Sequence, residues 1–143
     1  MEINTIGFAK KSLREFIRRL QSAGVSRVVD IRLNNTSQLA GYSKKEDLEY
    51  VLELVNIQYQ HIPALAPAEE LMKAFKGREI NWEQYVEIYS KLLAGSDPDA
   101  LVSMREGEKI CLLCSEDSPQ YCHRRLLAEY LGRQINGAAI QHL

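Results

Sequence analysis

The sequence lacks any apolar run that approaches the roughly 18 residues a membrane-spanning helix needs. It also carries little net charge: 18 basic and 19 acidic side chains give −1 at pH 7, which excludes a protein-wide basic field for nucleic acid or membranes. No glycine-rich loop of the Walker type is present. These absences favour a globular enzyme or binding domain that recognises its partner through a local patch.

Cysteines are also few, and the first residues do not have the pattern of a secretory signal. The chain has only three cysteines, an odd number, which argues against a disulfide framework. The opening MEINTIGFAKKS places its lysines after a short apolar stretch rather than before a long one, unlike a secretory signal. We therefore expect a cytoplasmic protein. A length of 143 residues with 45% hydrophobic content predicts one domain spanning residues 1–143.

Hydrophobic periodicity switches repeatedly between strand and helix. Ser12 to Glu15 and Ser43 to Glu46 read as capping boxes, and Asn81 can cap a third helix. The segment 97–107 reads as an irregular link. The pattern predicts strands near 2–8, 26–32, 57–62, 108–114 and 134–141, with helices between them that include 67–76 and 120–132. Such alternation is typical of an α/β fold with a mostly parallel sheet of about four to five strands and helices on both faces.

Ligands of open parallel sheets bind beyond the carboxyl ends of the strands, and polar residues collect at two such ends. One is the end of the second strand, where Asp30 and Arg32 share a strand face and can pair. The aspartate would then orient the arginine toward an anion. The other is the loop that follows Cys111 and Cys114. We expect the two loops to converge on one site.

The stretch CLLCSEDSPQYCHRR contains all three cysteines and a histidine. Cys111, Cys114, Cys122 and His123 could in principle form a four-ligand zinc site. Alternation along a strand would instead point Cys111 and Cys114 to opposite faces. The spacing therefore disfavours the four-ligand site, and Cys111 is predicted to pack in the core.

A thiolate or anion site is the stronger interpretation of this stretch. Cys114 would end a strand and Cys122 would lie in the first turn of the next helix, whose amino end lowers thiol pKa values and attracts anions. Arg124 adds a cationic donor. A helical wheel places His123 toward the sheet, where it could reach Cys114 or Glu116; as an adjacent helical residue it would be a poor base for Cys122.

The chain resembles the family catalogued as domain of unknown function 488, over nearly its whole length. The resemblance rests on stretches such as VVDIRLNNTSQLAGYSKKEDLEYVL and above all CLLCSEDSPQYCHRRLLAEYL, which matches a signature of Leu-Leu-Cys, an acidic residue and Cys-His-Arg. It implies a three-layer α/β sandwich. The family residues that map onto this chain are Asp30, Arg32, Cys114, Glu116, Cys122, His123 and Arg124.

The chain departs from the family pattern in two places. Where relatives often have Gly-His-Ser after the first strand, this chain has Gly7, Phe8 and Ala9. Where they have Pro-Ser after the Asp-x-Arg, Ser37 is the nearest match.

The leading hypothesis is a site for a small anionic substrate, such as a phosphate-bearing compound, a nucleotide or a nucleic acid, with thiolate chemistry; no membrane partner is expected. Three alternatives stay open: a non-catalytic binding or adaptor domain braced by the Cys-His-Arg cluster, a redox pair of two cysteines, and a metal site, which is not favoured. The metal site would use Cys114, Cys122 and His123, with Glu116 as an oxygen ligand. The candidate catalytic residues are Cys114, Glu116, Cys122 and His123, and the candidate substrate-binding residues are Asp30, Arg32, Ser37 and Arg124.

Overall fold

A computed structural model describes residues 1–35, 38–135 and 138–143. Its centre is one sheet of five strands: β1 (Glu2–Gly7), β2 (Arg27–Asp30), β3 (Gln58–His61), β4 (Lys109–Cys114) and β5 (Ala139–His142). All pairings are parallel, and the order across the sheet is β3-β2-β4-β1-β5. The predicted α/β class and parallel sheet are confirmed.

Within the described residues, six α-helices connect the strands. They are α1 (Leu13–Ser22), α2 (Lys45–Leu54), α3 (Glu69–Lys76), α4 (Trp82–Ser96), α5 (Pro98–Val102) and α6 (His123–Gln134). Short 3-10 turns occur at Gln38–Ser43 and Pro63–Leu65. The segment predicted as an irregular link therefore contains a helical turn, α5, which Pro98 begins at a position where a missing N–H costs nothing.

Local sequence signals account for several helix starts. Ser12 accepts a hydrogen bond from the Glu15 amide, as predicted, but the Glu15 carboxylate pairs with Arg19 instead of reaching back. Asn81 begins α4 with a complete capping box through Gln84. The predicted box at Ser43 is wrong, because α2 begins one residue later, after Lys44, without a side-chain cap.

The last helix begins at His123, and the predicted start at residue 120 is wrong. Ser118 accepts from the Gln120 amide in a local turn, and the Cys122 amide donates to the Pro119 carbonyl. This turn uses the residues that would otherwise have formed the first helical turn. Cys122 is the residue before the helix, with extended backbone angles (φ −126°, ψ 140°).

Two cores cover the two faces of the sheet. On one face α1 and α2 pack over Ile6, Val28 and Leu113. On the other face α3, α4, α5 and α6 pack over Ile3, Val29 and Leu112. Helices on both faces were predicted and are confirmed.

The direction of the connections singles out the carboxyl end of β4. Its two neighbours, β1 and β2, lead into the helices of the α1/α2 face, whereas β4 leads into α6 on the opposite face. Adjacent strands whose chains leave toward opposite faces open a crevice between their ends. The fold therefore places its natural binding position at Cys114.

Within the residues that the structure describes, none of the helices has the length and apolar character to cross a membrane.

Candidate active site

A cavity of about 220 Å³ lies at the carboxyl end of β4. Its inner part is formed by Cys114, Cys122 and His123, three side chains that are each less than a tenth exposed. The rest of its wall comes from the loop after β4, from α3 and from α4: Ser115, Glu116, Tyr121, Met72, Phe75, Lys76 and Tyr85. Four predicted site residues, Cys114, Glu116, Cys122 and His123, therefore share one cavity.

Arg124 lies behind this cavity and has no exposed surface. Its Nη1 donates to Cys114 Sγ at 3.2 Å and to the Glu116 carbonyl, and its Nη2 donates to the Asp117 carbonyl at 3.0 Å. Among the described residues, no carboxylate forms an ion pair with its guanidinium. A buried cation without a counter-ion is costly, and the Cys114 sulfur is the group placed to supply the negative charge.

Cys114 and Cys122 have opposite tendencies to ionise. Burial alone would raise the pKa of Cys114, but its Cys122 partner and the adjacent Arg124 guanidinium, which carries a charge and donates to the sulfur, lower it. The pKa of Cys122 is raised, because its proton is held by the Cys114 sulfur and because it is buried. Of the two sulfur atoms, Cys114 therefore favours the thiolate form and Cys122 favours the thiol form.

His123 is held in one orientation by the neighbouring strand. Its Nε2 lies 3.0 Å from the Ile31 carbonyl. A carbonyl only accepts, so we assign the proton of the neutral ring to Nε2 and leave the Nδ1 lone pair free. Nδ1 lies 4.0 Å from Cys122 Sγ. The prediction that Cys122 lies within the helix is wrong, because it precedes α6 in an extended conformation, and this brings the two side chains into contact.

Cys111 takes no part in this cluster. It is fully buried within the core on the α1/α2 face, and burial raises the pKa of its thiol. Cys114 continues the opposite face of β4, as alternation along the strand predicted. A four-ligand zinc site with all three cysteines is thus ruled out by geometry.

The end of β1 approaches the loop after β4 very closely. A Cβ on Gly7 would overlap the Glu116 carbonyl and come within 2.9 Å of Arg124 Nη1. Lys11 then reaches across to Asp117 at 2.7 Å. Only a residue without a side chain lets the end of β1 lie against the Glu116 carbonyl, one of the two carbonyl groups that hold the guanidinium.

Asp30 and Arg32 form the predicted ion pair, but outside this cavity. Arg32 Nε and Nη2 donate to the Asp30 carboxylate at 2.9 and 2.8 Å, and Nη2 also donates to the Ser43 carbonyl. The Asp30 carboxylate accepts from Tyr59 at 2.6 Å. Asp30 pairs in register with Leu113, whose side chain belongs to the α1/α2 face. The expected convergence of the two loops on one pocket is therefore not observed.

The Asp30 pair instead fixes the segment that follows β2. Burial alone would raise the pKa of Asp30, but Arg32 and Tyr59 lower it. Asn35 joins the network by donating to the Tyr59 hydroxyl at 2.9 Å. Ser37, the fourth predicted substrate-binding residue, lies outside the described residues.

Removing the Tyr59 hydroxyl tests this network. We expect Tyr59→Phe to lower the free energy of unfolding at neutral pH by about 1–2 kcal/mol, since a buried carboxylate loses a donor. Because the folded-state pKa of Asp30 is depressed, its contribution is present above the unfolded pKa of about 3.9 and is lost as pH falls through the folded pKa. Urea unfolding at several pH values should show the difference from wild type shrinking in acid.

Tyr50→Phe is the matched control, since the Tyr50 side chain is 60% exposed. Its effect should stay within about 0.5 kcal/mol. Equal effects of the two substitutions would contradict the assignment.

The sequence did not indicate the side chains that come from α3 and α4. Phe75, Lys76 and Tyr85 line the cavity only because these two helices pack beside α6. The apolar residues of α3 and α4 are spaced as in any helix that packs on a core, so the sequence did not distinguish a cavity wall from ordinary core packing. Lys76, at the end of α3, is the cation of the cavity wall, in place of Arg32 and Arg124.

The same cluster has donors that suit a soft metal ion. One ligand atom from each of Cys114, Cys122 and His123 lies within 4.8 Å of the other two. The Ile31 carbonyl accepts from the histidine ring and orients it, as carbonyl groups often do for histidines that bind zinc. Glu116, the predicted oxygen ligand, is not part of this group in the described chain.

Comparison with known proteins gives one match. A family described as "Domain of unknown function DUF488" matches residues 12–131. Neither a curated protein nor a solved structure matches the chain. The matched region contains the second and fourth strands, the Asp30 pair and the whole Cys114 cluster. The chain thus belongs to the DUF488 family, as its Cys-His-Arg stretch indicated.

Proposed function

We propose that this protein is a thiol-dependent enzyme that uses the Cys114 thiolate as a nucleophile on a small anionic substrate. The observation that carries the proposal is the buried Arg124 guanidinium, whose charge is balanced by no carboxylate of the described chain and which donates to the Cys114 sulfur at 3.2 Å. A purely structural cysteine has no need of such a partner. A thiol with a lowered pKa that lines a cavity is what nucleophilic catalysis by cysteine requires.

The neighbouring groups suit the proton transfers of such a reaction. The Cys114 Sγ electron pair would form a bond to an electrophilic centre of the substrate, and the bond to the leaving group would break with its electron pair. The Cys122 thiol is placed to give its proton to the leaving group. His123 Nδ1, at 4.0 Å from Cys122, is placed to accept a proton from an attacking water and return it to Cys122. Release of the product would restore the Cys114 thiolate.

The anionic part of the substrate is assigned to Lys76. Arg124 is fully buried and committed to Cys114 and two carbonyl groups, and Arg32 lies on the other face of the sheet. Lys76 is exposed at the cavity wall, and within the described residues it forms no ion pair. A cytoplasmic location suits the proposal, since a reducing compartment keeps three unpaired thiols free.

Alkylation of Cys114 by iodoacetamide, followed by mass mapping, tests the proposal. An ordinary cysteine has a pKa of about 8.5, so its alkylation rate falls about tenfold per pH unit below that value. Because the pKa of Cys114 is lowered, its rate should be nearly constant between about pH 6 and pH 9. p-Nitrophenyl acetate should also leave one acetyl group on Cys114.

Cys122→Ser is the matched control for this experiment, because it removes the neighbouring thiol and retains a donor. It should still react at Cys114, whereas Cys114→Ser should not react at the active site. A Cys114 rate that rises steadily with pH up to 8.5, as for a free cysteine, would rule out the thiolate.

A metal site is the second candidate, and the mutual distances within the Cys114, Cys122 and His123 group favour it. However, the complex of a divalent ion with two thiolates would have no net charge. It would therefore leave the neighbouring Arg124 charge unbalanced. Metal analysis of protein purified without chelators decides between the two. One equivalent of zinc that protects both thiols from alkylation would establish the metal site and overturn the free thiolate.

A further inference from the structure

The wall of the cavity opposite the sulfur atoms is aromatic. Phe75 and Tyr85 lie with ring centroids 5.2 Å apart, and Tyr121 completes the wall. Trp82 supports it from behind, since it stacks on Tyr85 at 5.1 Å and meets Tyr121 edge-on at 5.3 Å. The ring positions are therefore fixed by packing before any ligand arrives.

Tyr121 is the unusual member of this wall because 56% of its surface is exposed. The residue directly precedes Cys122, and its ring lies beside a thiolate that is itself almost fully enclosed. Packing against Trp82 limits its freedom to fold away from the opening. An exposed ring that lines a cavity and packs edge-on against a neighbour presents a flat surface to a ligand.

The cavity volume limits what can enter. The cavity of about 220 Å³ is smaller than the roughly 300–1,000 Å³ of pockets for drug-sized ligands, so it suits a small ligand such as one ring with its substituents. Lys76 lies at the same wall and can hold a negative group on that ring. A long flexible chain would leave the aromatic faces unused.

We propose that the substrates of this site carry a single aromatic or heteroaromatic ring with an anionic substituent. The ring stacks against Phe75 and Tyr121, and the carboxylate or phosphate pairs with Lys76. This inference rests on the proposed function, because it identifies the class of compound that reaches Cys114. It adds the requirement for a flat ring, which the thiolate alone does not impose.

Trp82 provides the measurement, since it is the one tryptophan of the chain and contacts two residues of the wall. The probes are benzoate, nicotinate and cyclohexanecarboxylate, titrated while Trp82 fluorescence is recorded. The two aromatic acids should bind at least about fivefold more tightly than the non-planar acid, because one aromatic pair contributes an affinity difference of about that size. Benzyl alcohol, which has the ring without the charge, should bind more weakly than benzoate.

Substitutions separate the ring from the charge. Tyr121→Leu should abolish the preference for aromatic acids, and Tyr121→Phe should retain it. Lys76→Gln should weaken benzoate relative to benzyl alcohol, whereas Lys73→Gln, on the exposed part of the same helix, should not. Equal binding of planar and non-planar acids, or no saturable response to any aromatic acid, overturns the inference.

Repeating the titrations in Cys114→Ser keeps the two proposals distinguishable. If Cys114 alkylates like a free cysteine while ring selectivity persists in both proteins, the proposed thiolate enzyme is wrong and the aromatic site stands. If Cys114 shows a pH-independent rate but no ring selectivity is found, only the substrate class is wrong.

Discussion

Replacing Gly7 with alanine should lower the free energy of unfolding by about 3 kcal/mol or more, among the largest effects of a single substitution. The new methyl group would overlap the Glu116 carbonyl and press on Arg124 Nη1 at 2.9 Å. The obstacle is main chain of the loop that directly follows β4, and Gly7 itself is held in register with Cys114 at the end of β4, so neither side can move cheaply. Urea unfolding followed by circular dichroism measures the loss.

Gly95→Ala is the control for this substitution. Gly95 lies in α4, has open space around an added Cβ and has no positive φ. Alanine there should raise stability by up to about 1 kcal/mol, since glycine is unfavourable in a helix. If both variants unfolded at the same urea concentration as wild type, the close contact between β1 and the loop after β4 would be wrong.

Gly7→Ala has a second expected effect, on reactivity. Displacing the Glu116 carbonyl removes an acceptor that holds the Arg124 guanidinium against Cys114. Any folded fraction of the variant should therefore show a Cys114 pKa nearer that of an ordinary cysteine. The pH profile of alkylation measures this separately from stability.

Replacing Arg124 with glutamine should turn Cys114 into an ordinary buried thiol. The thiolate loses its counter-ion while burial, which opposes the charge, remains, so its pKa rises. With a pKa of about 8.5 or above, the alkylation rate at pH 8.5 should exceed that at pH 6 by roughly 150- to 300-fold, against a ratio near one for wild type. This ratio compares one protein with itself, so it is independent of how nucleophilic each thiolate is.

Arg125→Gln is the matched control, because it removes the adjacent arginine from the same helix. Arg125 is partly exposed, pairs with Glu129 at 3.4 Å and lies over the Trp82 ring. It should leave the ratio near one. Thermal melting confirms that both variants are folded, and a flat profile in Arg124→Gln would refute the counter-ion role.

The fold was predictable wherever a local pattern decides the structure. The switching of the hydrophobic pattern between strand and helix periods predicted the parallel sheet. The alternation of side chains along β4 predicted that Cys111 and Cys114 lie on opposite faces. Ser12 and Asn81 marked the starts of two helices, because a side-chain cap is a contact between near neighbours in sequence. The start of α6 was missed because Ser118 and Pro119 suit a tight turn as well as a helix start.

The composition of the site depended on distant contacts that the sequence does not specify. The register between β2 and β4 decides whether Asp30 shares a face of the sheet with Cys114. Asp30 pairs with Leu113 and not with Cys114, so its side chain lies on the opposite face from the Cys114 side chain. The contributions of Phe75 and Lys76 depend on how α3 packs beside α6. The motif therefore located the sulfur groups, and the tertiary packing determined which cation and which rings accompany them.

The position of β4 between β1 and β2 also sets the order of assembly. Pairing β1 with β4 joins Glu2 to Lys109, whereas pairing β2 with β3 joins Arg27 to Gln58. Closing the longer loop costs roughly 1 kcal/mol more in chain entropy. A nascent chain can form the β2–β3 pair early, but the centre of the sheet must wait until β4 has left the ribosome. Cys114 meets its Arg124 counter-ion only after β1 and β2 have been synthesised, so we expect its thiol to react as an ordinary cysteine until β4 and α6 have folded.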